Sequence, residues 1–458
     1  MTEFDVFKSS VQDTIDSLAV LAKDSTYIKS EYYEMYDVKR GLRDINGKGV
    51  LTGLTEISDI ISSKKNEEGK SVPCEGELYY RGIPIQQIVG GFAGTNRRFG
   101  FEESAYLLLF GELPTEEKLK EFIGILSGFR RLPSSFVRDI IMKAPTADMM
   151  ISLSRSVLTL YSYDDNPDDI SISNVLRQCL QLIAEFPLIA VYGYNVYKHY
   201  FDTDCLFIRK PKPEYSTTEN ILYLLREDGK FTPLEAELLD ICLVLHSEHG
   251  GGNNSSFTTH VVSSSGTDTY SSIAASLGSL KGPRHGGANI KVVKMIEDMK
   301  ANLKDYSDES VKEYIEKLLN KEAFDKSGLI YGMGHAVYSL SDPRADILKK
   351  YVKALAKEKN VQGEFELYEK IERLAPEIIS KKRSIYKGVS CNIDFYSGFV
   401  YNLLGLPVEL FTPLFAIARI VGWSAHRIEE LSNNGKIIRP GYNAVCEHRE
   451  YIPMDKRK

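Results

Sequence analysis

The sequence predicts a mainly α protein, on three observations. Apolar residues recur at helical spacing through most of the 458 positions, Ser/Thr/Asp/Asn and Gly stand where helices would begin and end, and alternating strand patterns are few. The 102–110 stretch (EESAYLLLF) puts Ala105, Leu108 and Leu109 on one stripe, with Gly111 as its C-cap. Next comes Thr115 as an N-cap with two acids behind it, opening a helix through Leu119, Phe122 and Leu126 towards Arg131. Further amphipathic stretches cover about 149–163, 175–201, 233–246, 268–281, 291–303, 309–320, 344–357, 366–380 and 412–431. In the last, Thr412 reads as N-cap and Pro413 as the first helical residue. The best strand signal lies near 48–57, with a weaker one at 78–85. Residues 62–71, 164–169 and 210–215 are polar or Pro-containing and read as loops within the body.

Net charge is 57 − 63 = −6, which offers no broad basic field for nucleic acid or an anionic membrane surface. The six cysteines are scattered without a C-x-x-C pair, which disfavours a disulfide scaffold or a structural zinc module. The first residues carry acids and only a short apolar stretch, Leu18–Ala22, unlike a signal or transit peptide. No uninterrupted apolar run approaches the ~18 residues of a membrane span. A cytoplasmic protein is expected.

Histidine placement points to chemistry. Five of eight histidines fall between 246 and 335, and His249, His285 and His335 each adjoin glycine. There a backbone can approach a ligand closely and a helix end can bias ionisation; the plainer reading makes these loop or cap residues. His246 and His249 are three apart, as on one helix face, yet the pattern is not H-E-x-x-H and marks no third ligand, so no metal site is assigned. Arg344 follows Asp342-Pro343. Arg419 and His426, seven apart, share a face of an apolar helix, and Arg439 sits in Ile-Ile-Arg-Pro. Such arginines either snorkel or hold an anion, and a small dicarboxylate has the matching geometry. Asp394 stands among apolar and aromatic residues, where its pKa would rise into the range of a general base, unless it is a surface turn residue. Gly332 and Gly334 form a G-x-G without the third glycine or preceding strand of a dinucleotide fold, and no P-loop is present.

Taken together, the blocks GLRDINGKGV, ELYYRGIPI, FEESAYLLLFGELPT, HSEHGGGNNSSFTTHVV, GSLKGPRHGGAN, YGMGHAVYSLSDPRA, NIDFYSG and LFTPLFAIARIVGWSAHRIEEL resemble the citrate synthase family, in order and spacing, from about residue 40 onward. The resemblance implies a two-domain helical fold: a large domain from 1–285 and 396–458, and an inserted smaller domain at 286–395 that rotates to close a cleft. It implies a homodimer, no permanently bound cofactor, and condensation of acetyl-CoA with oxaloacetate followed by hydrolysis to citrate and CoA. Asp394, His285 and His335 carry over as catalytic residues. His249, Arg344 and Arg419 carry over as oxaloacetate ligands, with Arg439 acting in the other subunit's site. The CoA-facing segment corresponds to about Lys326–Ala336, including Gly332 and Gly334. Where some family members place a basic residue against the CoA phosphate this chain has Ser339, leaving Lys387 as the candidate. The same chemistry on propionyl-CoA, as a 2-methylcitrate synthase, is the alternative within the family; a non-catalytic regulatory relative is the alternative outside it.

Overall fold

The computed structural model describes residues 3–44, 49–95, 97–202, 204–283, 285–334, 337–383, 388–433 and 435–457. It divides into two units, Met1–Leu54 and Thr55–Lys458. The first contains α1 (Glu3–Ser25), α2 (Ser30–Met35) and a short 3-10 turn at Arg40–Leu42.

The second unit opens with an antiparallel sheet of β1 (Ser58–Lys65), β2 (Ser71–Tyr80) and β3 (Ile83–Pro84) in the order β1-β2-β3. Ser58 faces Tyr80 and Ile60 faces Leu78, with an irregularity between Ile61 and Ser63. This corrects the strand expected near 48–57, whose described residues form no strand, and the loop expected at 62–71. That segment is the tip of a hairpin, with Asn66 folding it by accepting the Lys70 N–H at 2.9 Å. The weaker signal at 78–85 is the strand that is real: Gly76, Leu78 and Tyr80 are buried while Glu77 and Tyr79 are half-buried, the period of two expected for one core face.

Helices follow: α3 (Ile85–Gly90), α4 (Gly100–Phe110), α5 (Glu116–Phe129), α6 (Met149–Leu160), α7 (Ile172–Phe201), α8 (Thr217–Leu225), α9 (Pro233–His246), α10 (Asn254–Ser263), α11 (Thr269–Lys281), α12 (Ala288–Asn302), α13 (Asp308–Leu319), α14 (Pro343–Glu358), α15 (Gln362–Arg383), α16 (Ile393–Leu403) and α17 (Phe411–Ser432). The expected caps act at several ends. Gly111 takes φ +83° after α4, and the Thr115 side chain accepts the Lys118 N–H at the start of α5. Thr232 and Glu235 form a reciprocal capping box before Pro233 on α9. Thr412 does not cap α17: the helix begins at Phe411, and the Thr412 hydroxyl donates to the Gly286 carbonyl at 3.1 Å.

α17 is the axis of the core, buried at every residue from Phe411 to Arg427 and packed against α4, α7, α9, α10 and α11. Among the described residues two helices, Ile172–Phe201 and Val408–Ser432, are long and apolar enough to cross a membrane, but their most apolar stretches are 83% and 89% buried inside the protein, as core helices are. A second group of helices pairs α12 with α16, α13 with α15, and α14 with both α15 and α16. α14 and α16 also lie on α9, which brings this group against the segment that follows His246.

Candidate active site

α9 ends at His246, and Gly250 takes φ +82° in the turn beyond it. The idea that His246 and His249 share a helix face therefore fails. The His246 Nδ1–H donates back to the Cys242 carbonyl at 2.8 Å, and its ring stands edge-on to Phe415 at 4.7 Å. Burial, together with Arg344 and Arg419, holds this imidazole neutral, its pKa lowered to about 3. His249 lies outside the helix, buried, its ring 5.5 Å from that of Tyr338. The hydroxyl of Tyr80, at the end of β2, lies 2.9 and 3.0 Å from the carbonyls of Val244 and Glu248, tying the turn to the sheet.

His285 sits just ahead of α12, in the turn whose Gly286 N–H donates to the Leu280 carbonyl at 3.0 Å. A Cβ on Gly286 would meet that oxygen at 2.4 Å, so only glycine lets the turn close. The imidazole Nε2 lies 3.0 Å from the Ser255 hydroxyl, which accepts the Trp423 Nε1–H at 3.1 Å. Burial first and Arg419 second lower the His285 pKa to about 4, so the ring is neutral at physiological pH.

Asp394 occupies the first turn of α16, where Asn392 caps by accepting the Asp394 N–H at 3.0 Å. Its carboxyl pKa is raised to about 6 by removal from water; Arg344 and Arg419 oppose the rise and Asp342 adds to it. Arg344 is buried at the start of α14 and bonds Asp342 at 2.8 Å. The same Asp342 oxygen, Oδ2, also accepts the Ile393 N–H at 3.2 Å, next to Asp394. Arg419, in the middle of α17, does not snorkel: it is fully buried, its Nε donates to the His246 carbonyl at 2.7 Å, and it lies 4.7 Å over the Phe415 ring. Its Nη1 is buried without a hydrogen-bond partner. Gly332 (φ +80°) and Gly334 (φ +90°) are strung against residues 390–392. The Gly334 N–H donates to Ser390 at 2.7 Å, the Asn392 N–H to Gly332 at 2.9 Å, and the Asn392 side chain to Gly334 at 3.0 Å. A Cβ on Gly332 would lie 2.8 Å from Phe395. Gly332→Ala is expected to cost ~1–3 kcal/mol from the backbone alone; a melting temperature equal to the wild type would remove that role.

One cluster thus holds a carboxylate of raised pKa, a neutral imidazole and two buried guanidiniums. The family model described as "Citrate synthase, C-terminal domain" matches residues 44–441. The chain belongs to the citrate synthase family. It is 35% identical over 391 residues to the citrate synthase of Synechocystis sp., covering 84% of this chain and 89% of that protein. It is 31% identical to the 2-methylcitrate synthase of Shewanella oneidensis, covering 83% and 92% respectively. Among solved structures it resembles the Thermoplasma acidophilum citrate synthase in ternary complex with carboxymethyl coenzyme A and oxaloacetate. That match has a TM-score of 0.74 at 26% identity, covering 92% of this chain and 99% of that one. Its fold is the mainly α citrate synthase fold, and it is a transferase of that type.

Relative to the family-derived set, the structure brings Asp394 into the field of Arg344 and Arg419 and His285 into that of Arg419, while His249 stands in the turn after α9 against Tyr338. Arg439 is elsewhere, exposed on the segment after α17. His335 and Lys387 lie outside the described residues. Sequence reasoning noted Glu248 only beside the rejected metal pair and Asp342 only as the neighbour of Arg344, and it passed over Ser255 and Trp423. Glu248 is fully buried and accepts from Ser58 at 3.0 Å and His426 at 3.1 Å. Despite its burial its pKa is lowered to about 2, with His426 and Arg419 as the chief opposing charges. An acid inside HSEHGGG was the available signal.

Proposed function

We propose that this protein is a citrate synthase, joining acetyl-CoA to oxaloacetate in a Claisen-type condensation and hydrolysing the thioester to citrate and CoA. What carries the reading is Asp394, a carboxylate with its pKa near 6 in the field of two buried arginines. Asp394 removes a proton from the acetyl methyl group. Neutral His285 donates to the thioester oxygen as charge gathers there. That role needs the proton on Nδ1, a tautomer favoured when the single Ser255 proton points to Nε2 instead of to Asn253 Oδ1, 2.9 Å away. The enol carbon then attacks the oxaloacetate carbonyl, which His335 polarises and protonates. Water finally cleaves the citryl thioester and releases the CoA thiol. His249, Arg344 and Arg419 bind oxaloacetate; the unpartnered Nη1 of Arg419 supports this, since a buried guanidinium calls for an anion.

The CoA-bearing segment is Lys326–Ala336, with Gly332 and Gly334 bringing backbone close and Lys387 towards a phosphate. Residues 286–395 act as a smaller domain, carrying α12 to α15 and the first turn of α16, that closes over bound oxaloacetate and keeps water from the thioester. Function is in a cytoplasmic homodimer with no permanently bound cofactor, in which the exposed Arg439 of each chain completes the neighbouring site.

The test is CoA release, followed with a thiol-reactive dye, from acetyl-CoA or propionyl-CoA with and without oxaloacetate. Oxaloacetate-dependent turnover of acetyl-CoA is expected. A preference for propionyl-CoA would move the protein to the 2-methylcitrate branch, since one methylene is worth only ~1–3 kcal/mol in a pocket. No release from folded protein would leave a non-catalytic relative.

A further inference from the structure

Beyond the hydrogen bond from His426 to Glu248, a second cluster of ionisable groups takes no part in this chemistry. His260 is near the end of α10, and His426 and Glu429 lie three residues apart on α17. The facing atoms are His260 Nε2, His426 Nδ1 and Glu429 Oε2. The two nitrogens are 3.1 Å apart, His426 Nδ1 is 3.7 Å from the carboxylate oxygen, and all three atoms lie within 4.8 Å of one another.

We propose that these three side chains form a binding site for a divalent transition-metal ion, with zinc the best match. Four observations carry it. Tetrahedral zinc with bonds of about 2.0–2.2 Å spaces its ligand atoms about 3.3 Å apart, close to the 3.1 and 3.7 Å from His426 Nδ1 to its two neighbours. Each histidine has its other nitrogen held by a carboxylate: His426 Nε2–H donates to Glu248 at 3.1 Å, and His260 Nδ1–H to Glu430 at 2.8 Å. Such outer carboxylates fix the ring and aim the inner nitrogen at the ion. Glu429 is anchored through Oε1, which accepts the Glu56 N–H at 2.8 Å, while its buried Oε2 has no hydrogen-bond partner. Finally, Gly251 leaves the flank of the histidine pair open, since a Cβ there would lie 3.4 Å from His260 Nε2 and 3.3 Å from His426 Cε1.

Three carboxylates around two imidazoles suit a dication and outweigh the opposing positive charge of Arg81 near Glu429. Without an ion, His426 carries a second proton on Nδ1 and donates it to His260 Nε2; metal binding releases that proton, and both nitrogens turn to the ion. The ion ties α10 to α17 and, through Glu248, steadies the residue before His249. It touches no substrate and its role is structural.

Cobalt(II) is the probe. Full-length protein stripped with a chelator and titrated with Co²⁺ should bind one equivalent with the visible ligand-field bands of a four-coordinate site, and Zn²⁺ should displace it. His260→Gln and Glu429→Gln are the key variants, because both side chains are only partly buried and the fold tolerates their loss better than that of His426. Each should weaken binding beyond the ~10–100-fold loss expected for Glu430→Gln, which only orients a ligand. Absence of the bands in the wild type would overturn the site. So would bands of wild-type strength in both key variants, or bands abolished by blocking the exposed thiols of Cys205 and Cys446.

Discussion

Asp394→Asn is expected to lower turnover at least ~100-fold while leaving the protein folded, because general-base catalysis contributes about 10²–10⁴-fold. The amide is nearly isosteric and keeps the α16 turn, so circular dichroism and melting temperature should stay near the wild type. The pH profile supplies the sign. The carboxyl pKa is raised to about 6, and the carboxylate is the active form. In the wild type, kcat/KM for the acyl-CoA should therefore be constant above that pH and fall about tenfold per unit below it. The variant should lose this limb. An unchanged limb in Asp394→Asn would assign the titration to another group, and near-wild-type turnover would end the role of Asp394 as base.

His285→Ala is the second large effect. One hydrogen-bond donor aimed at a developing oxyanion is worth ~2.7–4 kcal/mol, or about 10²–10³-fold in turnover. The imidazole has its pKa lowered to about 4, so it stays neutral throughout the assayable range and adds no second acid limb. A distinguishing control is Ser255→Ala, which keeps the ring but removes the hydroxyl at 3.0 Å. It should reduce kcat by less than His285→Ala and leave the KM for oxaloacetate unchanged. A fall in oxaloacetate affinity equal to the fall in turnover would mean that His285 merely supports the binding pocket.

Much of this architecture was legible from periodicity. α5, α9 and α14 carry clear stripes and side-chain caps, and the structure places them within a few residues of expectation. The hairpin escaped because the strand ends are polar, SSKKNEEGKS, and their pairing is decided across the ladder, where local composition says little. α10 was unseen for a different reason. Its run NSSFTTHVVS has only Phe257, Val261 and Val262 as apolar residues among small polar ones and shows no apolar stripe, yet Thr259 meets Ser276 of α11 at 2.7 Å inside the body. The site divides in the same way. His285, Asp394 and Arg419 stood out by type and setting, whereas Ser255 and Glu248 acquire their meaning from Trp423 and His426, which are 168 and 178 positions away. No window along the chain brings those partners together.

The stitching of Gly332–Gly334 to Ser390–Asn392 has a kinetic consequence. The strip of chain assigned to the acyl-CoA and the helix turn bearing Asp394 share three hydrogen bonds, so in the proposed closure they travel as one plate. The distance from base to incoming methyl group is then fixed within that plate, independent of how far the cleft has closed. Closure then governs only how near that plate comes to the carbonyl of the oxaloacetate already bound. Selection on acyl chain length can therefore act within the plate, by altering its few contacts, without retuning the grip on oxaloacetate. A single ancestral scaffold built this way can drift between two-carbon and three-carbon donors while its acceptor stays the same.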